Sequence, residues 1–399
     1  MRKAVKNNVS WVGKVDWELR RFHGDDYSTH KGSSYNSYLI EEEKTVLVDT
    51  VWAPYAEEFV ENLAEEVDLD TIDYIVVNHG EVDHSGALPA LMKRIPSTPI
   101  YCSANAVKSL KGQYHQDWNF NVVKTGDKLD IGNGKELVFV EMKMLHWPDS
   151  MATYLTQDNI LFSNDAFGQH LASEHLFNDQ VDQCDLFNEA IKYYANILNP
   201  FSPLLRKKLD EIKSLNLPID IIATSHGISW RENPMQIVEK YASWANNYQE
   251  NQITIIYDTM WKGTKKLAER IAEGIRLADS DVVVKVYNLA KYDDNDLITE
   301  VFKSKMVIVG SPTISNSILH SVAGFIHLIK ELRFKGKKAA AFGCYGWSGE
   351  SVKVINQMME DAGFEVINEG FKNLWNPDED AQNAALEFGK NIAETNQSE

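Results

Sequence analysis

The stretch Tyr74-Ile-Val-Val-Asn-His-Gly-Glu-Val-Asp-His-Ser-Gly86 decides how the first half of the chain is read. Ile75, Val76 and Val77 are the residues of a buried strand. The polar run behind them, closed by Gly86, sits where a strand ends and a loop begins. In α/β folds that edge carries the chemistry. His79, Glu81, Asp83 and His84 place two imidazoles and two carboxylates within six positions, close enough to converge on a single small space. Two carboxylates held so close repel, and one would take up a proton unless a cation lies between them. The run is therefore read as part of a metal site; the alternative is a solvated acidic loop with incidental histidines.

Three later residues repeat the design. His146 follows the apolar run Leu137–Leu145, Asp165 follows Ile160–Asn164, and His226 follows Ile221–Ser225. Each is expected at the end of a strand, and the three are candidates for the remaining ligands. Taken alone, any one of them reads better as a hydrogen-bonded core histidine or a turn aspartate; together with the first cluster they read as ligands.

The spacing resembles the metallo-β-lactamase-like fold, whose hydrolases carry H-x-H-x-D-H. Here Glu81 stands at the second histidine position, and with His79, Asp83, His84, His146, Asp165 and His226 the chain resembles the flavodiiron proteins. Exchanging imidazole for carboxylate hardens a site and favours iron over zinc. The resemblance implies two non-haem irons: His79, Glu81 and His146 on one, Asp83, His84 and His226 on the other, and Asp165 bridging.

The C-terminal third gives a separate signal. A strand at Ile253–Tyr257 runs into the polar loop Asp258–Thr264 and the amphipathic stretch Lys265–Ala278. Such a turn is an anion site, because unpaired N–H groups and the helix dipole face the ligand. Two more loops follow strands at matching places, Gly310–Asn316 after Met306–Val309 and Gly343–Gly349 after Ala339–Phe342. This alternation resembles flavodoxin, with FMN at the switch point of a five-stranded parallel sheet. The resemblance implies a phosphate cradle from Thr259, Trp261, Gly263 and Thr264, with Met260 and Lys262 of the same loop as further cofactor-binding candidates. The isoalloxazine would be flanked by Pro312, Thr313, Asn316, Tyr345, Gly346 and Trp347, with Ser311, Ile314, Ser348 and Gly349 as further cofactor-binding candidates in the same loops. Met260, Trp261 and Lys262 stand where flavodoxins commonly carry small residues. A receiver domain without flavin shares the topology, but not the glycine-aromatic third loop.

The chain of 399 residues has room for two cores. The expected organisation is α/β: residues 1–250 as a metallo-β-lactamase-like αββα sandwich holding two irons, and residues 251–399 as a flavodoxin-like doubly wound parallel sheet holding FMN. A helix from Trp230 to Tyr248 and a polar hinge at Gln249–Gln252 are expected at the boundary, and Glu394–Glu399 reads as a frayed tail. The N-terminus shows no signal peptide, and no run is long and apolar enough to span a membrane. Three dispersed cysteines, Cys102, Cys184 and Cys344, form no C-x-x-C pair and suggest a reduced, cytoplasmic setting. A net charge of −18 argues against nucleic acid as a partner.

The flavodiiron resemblance implies reduction of nitric oxide to nitrous oxide, or of O2 to water, with FMN feeding the irons. Gly32–Leu39, Trp118–Asp127, Leu145–Met151 and Ser163–His170 resemble the nitric oxide-reducing members, in which a rubredoxin domain follows the flavodoxin part. Rubredoxin or a similar carrier is the implied donor, with Lys262, Lys265 and Lys266 as a candidate docking spot. The implied assembly is a head-to-tail homodimer or a pair of such dimers, with the FMN of one copy beside the irons of the other. His170, Tyr193 and Tyr194 are candidates to orient ligands or donate hydrogen bonds near the irons. Two other classes stay open: a zinc-dependent hydrolase explains the first half alone, and a flavin electron carrier explains the second alone.

Overall fold

The computed structural model describes residues 2–214 and 216–397, and the chain divides into two compact units. One comprises the residues up to Tyr194 together with Phe201–Ala245; the other comprises Ala195–Pro200 and the chain from Asn246 onward.

In the first unit a seven-stranded sheet faces a five-stranded one. The seven-stranded sheet begins with antiparallel pairing through Val9–Trp11, Tyr38–Glu41 and Thr45–Val48, then turns parallel through Ile72–Val77, Ile100–Ser103 and Phe120–Val123. Its inward residues, among them Val46, Val48 and Val76, pack against Leu137, Phe139, Met151, Phe162 and Ala223 of the other sheet. Alternation along each strand sends every second side chain into this core. Helices complete the αββα arrangement: Ala56–Glu66 buries Phe59, Val60 and Leu63, and Gln183–Tyr193 starts at Asp182, which accepts from the amide of Asp185 at 2.9 Å.

The second unit is a parallel sheet in the order Val283–Asn288, Glu250–Tyr257, Ser304–Gly310, Lys338–Tyr345, with Glu365–Val366 and Phe371–Leu374 both pairing to the last of these. The fifth strand of the flavodoxin order is thus broken in two, its halves joined across Ile367–Gly370. Lys337 is buried beneath the sheet and donates to the carbonyls of Tyr248, Phe302 and Ser304 at 3.1, 2.7 and 2.6 Å.

Several local expectations are corrected. The helix near the boundary is Met235–Trp244, because Trp230 returns as an extended residue pairing with Ile222 and its indole donates to the Phe167 carbonyl. The expected hinge at Gln249–Gln252 is absorbed into the strand Glu250–Tyr257, where Gln252 is buried. The strand before His146 ends at Glu141; Met142–Leu145 fold into a loop that a bond from the Met142 amide to the Ser150 carbonyl closes. Gly343, Cys344 and Tyr345 belong to a strand rather than a loop, held by Lys372–Leu374. The last helix runs Glu379–Gln397, so the expected tail is helical as far as it is described; residues 398 and 399 lie outside the described residues.

Replacing Lys337 by methionine would leave three buried carbonyls without their donor. Each such loss costs about 1–3 kcal/mol before relaxation, so a net destabilisation of about 2–4 kcal/mol is expected. Urea unfolding followed through the flavodoxin-like unit checks it, and an unchanged midpoint contradicts the role assigned to the ammonium.

Candidate metal centre and flavin cleft

The strand Ile72–Val77 and the short helix Val82–Ser85 set the first four candidate ligands. His79, Asp83 and His84 are buried and Glu81 is half-buried. The helix turns Asp83 and His84 inward side by side, while the extended backbone before it carries His79 and Glu81. His146 arrives from the loop after Lys135–Glu141, Asp165 from the end of Ile160–Asn164, and His226 from the end of Ile221–Thr224.

All seven converge. His79 Nε2 is 3.2 Å from Glu81 Oε2, and His146 Nε2 is 3.6 Å from the same oxygen. On the other side Asp83 Oδ2 is 3.3 Å from His84 Nε2 and 3.0 Å from His226 Nε2. Asp165 lies between the two groups: Oδ2 faces His79 and His146 at 3.7 and 3.4 Å, and Oδ1 faces His84 and His226 at 3.1 and 3.7 Å.

The electrostatics fit a cationic occupant. Burial alone would raise the Asp165 carboxyl, but His84 and His146 outweigh it and hold it well below the usual carboxylate range. Burial works against a charged His84, yet Asp83 and Asp165 push that imidazole up to about 9. The carboxylates therefore demand positive charge, which either protons on the imidazoles or metal ions supply. Glu81 Oε2, Asp83 Oδ1, His84 Nε2 and Asp165 Oδ2 are buried with no hydrogen-bond partner among the described residues, as atoms reserved for a metal would be. The donor set is oxygen and imidazole nitrogen without thiolate, which suits iron.

The surroundings add residues that sequence reading passed over. Asp149 faces His79 Nδ1 at 3.3 Å, the Ser34 carbonyl accepts from His226 Nδ1 at 2.8 Å, and half-exposed His23 lies 3.7 Å from Glu81 Oε1. Asp149 stood inside the block Leu145–Met151, but nothing in its spacing marked it as facing His79. His170 is buried, with Nδ1 2.7 Å from Ser33 Oγ and its ring centroid 5.1 Å from that of His226. Burial holds it well below its ordinary value, so it is neutral. Tyr193 packs on His170 at 5.3 Å between centroids. Tyr194 is not brought to the pocket: its hydroxyl meets Ser202 Oγ at 2.8 Å and its ring packs on Tyr241 and Trp244.

A second cleft, of about 480 Å³, opens at the carboxyl edge of the parallel sheet. Thr259, Met260, Trp261, Gly263 and Thr264 line it from the first loop, Pro312 and Thr313 from the second, and Tyr345, Gly346 and Trp347 from the third. The helix Gly263–Ala278 points an N-terminus without a side-chain cap towards it, and Thr259 Oγ1 and Thr264 Oγ1 are buried without a partner among the described residues. Those groups fit an anion, and the indoles of Trp347 and Trp375, with centroids 6.4 Å apart and planes tilted by 58°, give the cleft an aromatic side.

Lys262, Ser311, Ile314, Asn316, Ser348 and Gly349 do not line the cleft. Lys262 takes a left-handed conformation before the helix, Ser311 holds the second loop through the Leu319 amide, and Ile314 pairs with Ser317 across a tight turn. Cys344, Trp375 and Asn376 line it without having been singled out. The Asn376-Pro377 pair, a turn signal after the last strand, could have pointed there.

Residues 34–227 match the model of the ODP family beta lactamases, and residues 255–389 match the flavodoxin model. The chain belongs to the flavodiiron protein family. Among curated proteins it is similar to the anaerobic nitric oxide reductase flavorubredoxin of Escherichia coli, 57% identical over 394 residues that cover 98% of this chain and 82% of that one. Among solved structures it is similar to the rubredoxin oxygen:oxidoreductase of Desulfovibrio gigas, with a TM-score of 0.95 and 35% identity over 100% of this chain and 99% of that one. The flavodiiron protein of Giardia intestinalis gives a TM-score of 0.94 at 33% identity, covering 99% and 96%.

Gly227, beside His226, has φ +65°, and a Cβ there would lie 1.8 Å from Gln169 Oε1. Gly227→Ala is expected to cost about 2–4 kcal/mol through left-handed strain and displacement of Gln169. Thermal unfolding of the metal-free protein checks this; a melting temperature equal to wild type contradicts it.

Proposed function

We propose that this protein reduces nitric oxide to nitrous oxide at a pair of non-haem irons fed by FMN. The observation that carries the reading is the 57% identity to the Escherichia coli flavorubredoxin, which spans both units. His79, Glu81 and His146 would hold one iron, Asp83, His84 and His226 the other, with Asp165 between them. Thr259, Gly263 and Thr264 would hold the FMN phosphate, and Thr313, Tyr345, Gly346 and Trp347 would flank its ring. When bound, the flavin supplies electrons singly or in pairs and the irons supply reducing equivalents and open coordination positions.

The chain's own residues would do the rest. Joining two NO molecules into N2O and water consumes two electrons and two protons. Burial, with Asp165 adding to it, pushes the Tyr193 phenol well above its ordinary value, so the hydroxyl keeps its proton and can donate a hydrogen bond. Neutral His170, fixed by Ser33, packs between Tyr193 and His226 and keeps water from that side of the pocket. Tyr193→Phe is expected to slow turnover about ten-fold with iron content unchanged, and Tyr194→Phe to leave turnover near wild type. Equal turnover in the Tyr193 variant and wild type would end the assignment.

Two indoles at the flavin cleft, Trp261 and Trp347, are 88% and 86% exposed. Large aromatics so exposed support an association surface. The fitting occupant is a second copy, arranged head to tail so that the flavin of one copy meets the irons of the other, as a dimer or a pair of dimers. Rubredoxin or a similar small carrier would be the donor. The charges expected to guide it are partly engaged: Lys265 is 3.4 Å from Glu269 and Lys266 is 3.1 Å from Asn376 Oδ1. No helix among the described residues is long and apolar enough to cross a membrane, and the three cysteines are free, which fits a cytoplasmic setting.

O2 reduction to water is the second reading, favoured by the likeness to the Desulfovibrio gigas enzyme. The protein loaded with iron and FMN, given reduced rubredoxin and then NO or O2 separately, is expected to consume NO faster and release nitrous oxide. Faster O2 consumption ending in water would overturn nitric oxide as the substrate.

A further inference from the structure

We infer that Asp149 is a positioning residue that makes the two metal positions unequal, tightening the one built on His79. The inference rests on the di-iron reading above and goes beyond it. Asp149 is buried; its Oδ1 lies 3.3 Å from His79 Nδ1, and its Oδ2 accepts from the Gly80 amide at 2.8 Å. One carboxylate therefore accepts from the peptide that leads to Glu81 and stands in close charged contact with the ring of His79, two ligands of the same metal, although Oδ1 and Nδ1 are not aligned as a hydrogen bond. Ser103 Oγ donates to the Asp149 carbonyl at 2.9 Å and fixes the residue from behind. A Cβ on Gly80 would stand 2.8 Å from Asp149 Oδ2 and 2.8 Å from Ser109 Cβ, so the two together leave no space for a side chain there.

The other half is built differently. His226 Nδ1 rests on the Ser34 carbonyl, a neutral acceptor. The carboxylate on that side, Asp83, turns Oδ2 to the metal-facing nitrogens of His84 and His226 themselves. Asp49, buried nearby, gives both its oxygens to Asn78, at 2.7 and 3.0 Å. A carboxylate behind a ligand imidazole fixes its tautomer with Nε2 forward and strengthens it as a donor, and a neutral carbonyl does less. The His79 position is thus the one that fills first and empties last.

Asp149→Asn tests this in the full chain. Asparagine offers one oxygen where the carboxylate offers two, so either the Gly80 amide or the His79 ring loses its partner. Wild type and variant, loaded anaerobically with ferrous iron, are challenged with a chelator, and Mössbauer spectra of isotopically enriched iron identify which site empties. Wild type is expected to release its irons in two phases. The variant is expected to release the slower iron about 10–100-fold sooner and the faster one unchanged. Gly80→Ala, which displaces the same carboxylate by filling its contact, is expected to weaken the same iron, and circular dichroism of both metal-free variants checks that they fold. Two wild-type irons leaving at one rate, or variants that match wild type or lose both irons equally, overturn the inference alone. A wild type that takes up no iron overturns the di-iron reading together with it.

Discussion

The carboxylate of Asp165, with one oxygen turned to His79 and His146 and the other to His84 and His226, is the contact that joins the two halves of the candidate metal centre. It sits with Glu81 and Asp83 around one small volume. Each close pair of like charges at about 4 Å costs on the order of 4 kcal/mol even at an effective dielectric near 20. The cluster exists because imidazoles, and the cations they can share, interleave the acids. The two-sheet core carries the strain of holding them: it brings loops from both sheets to one edge, and its packing is apolar and independent of the cluster.

How far the sequence alone leads can be judged residue by residue. The run from His79 to His84 was legible because a β-branched strand followed by closely spaced polar residues is a local pattern. Asp165 and His226 were legible for the same reason, each standing at the end of a strand. His146 was found, but the strand drawn up to it was too long. Met142 and Leu145 are apolar and buried, yet they pack in a loop, and periodicity cannot tell that from a strand end. Trp230 misled in the same way: its burial comes from a long-range return onto Ile222 and Phe167, which no helical period encodes. Asp149 was invisible because its partner His79 lies in a distant loop, the one after Ile72–Val77, and an aspartate after proline reads as a turn.

In the second unit the three loops were placed by their strand-to-helix pattern, but which of their members line the cleft was not legible. Those with side chains facing the cleft and those that only shape the loops look alike in sequence. Lys262 and Asn316 have left-handed backbone, with φ of +66° and +58°, and do not line the cleft. Trp375, contributed from beyond the broken fifth strand, completes the aromatic wall.

The dispersal of the cluster has a consequence for biogenesis. Its members run from residue 79 to residue 226 and come from several separate loops, so no fragment emerging from a ribosome contains the whole pocket until the sandwich is nearly complete. Closing such long loops is slow and entropically costly, and the sheets must pair before it is done. The early run at 79–84 is exposed throughout that interval as an open group of imidazoles and carboxylates, able to pick up whichever divalent ion is abundant. Selection among metals must therefore come late, from the closed geometry that Asp165 and His226 complete, and a wrong early-bound ion must be exchanged out before the pocket shuts.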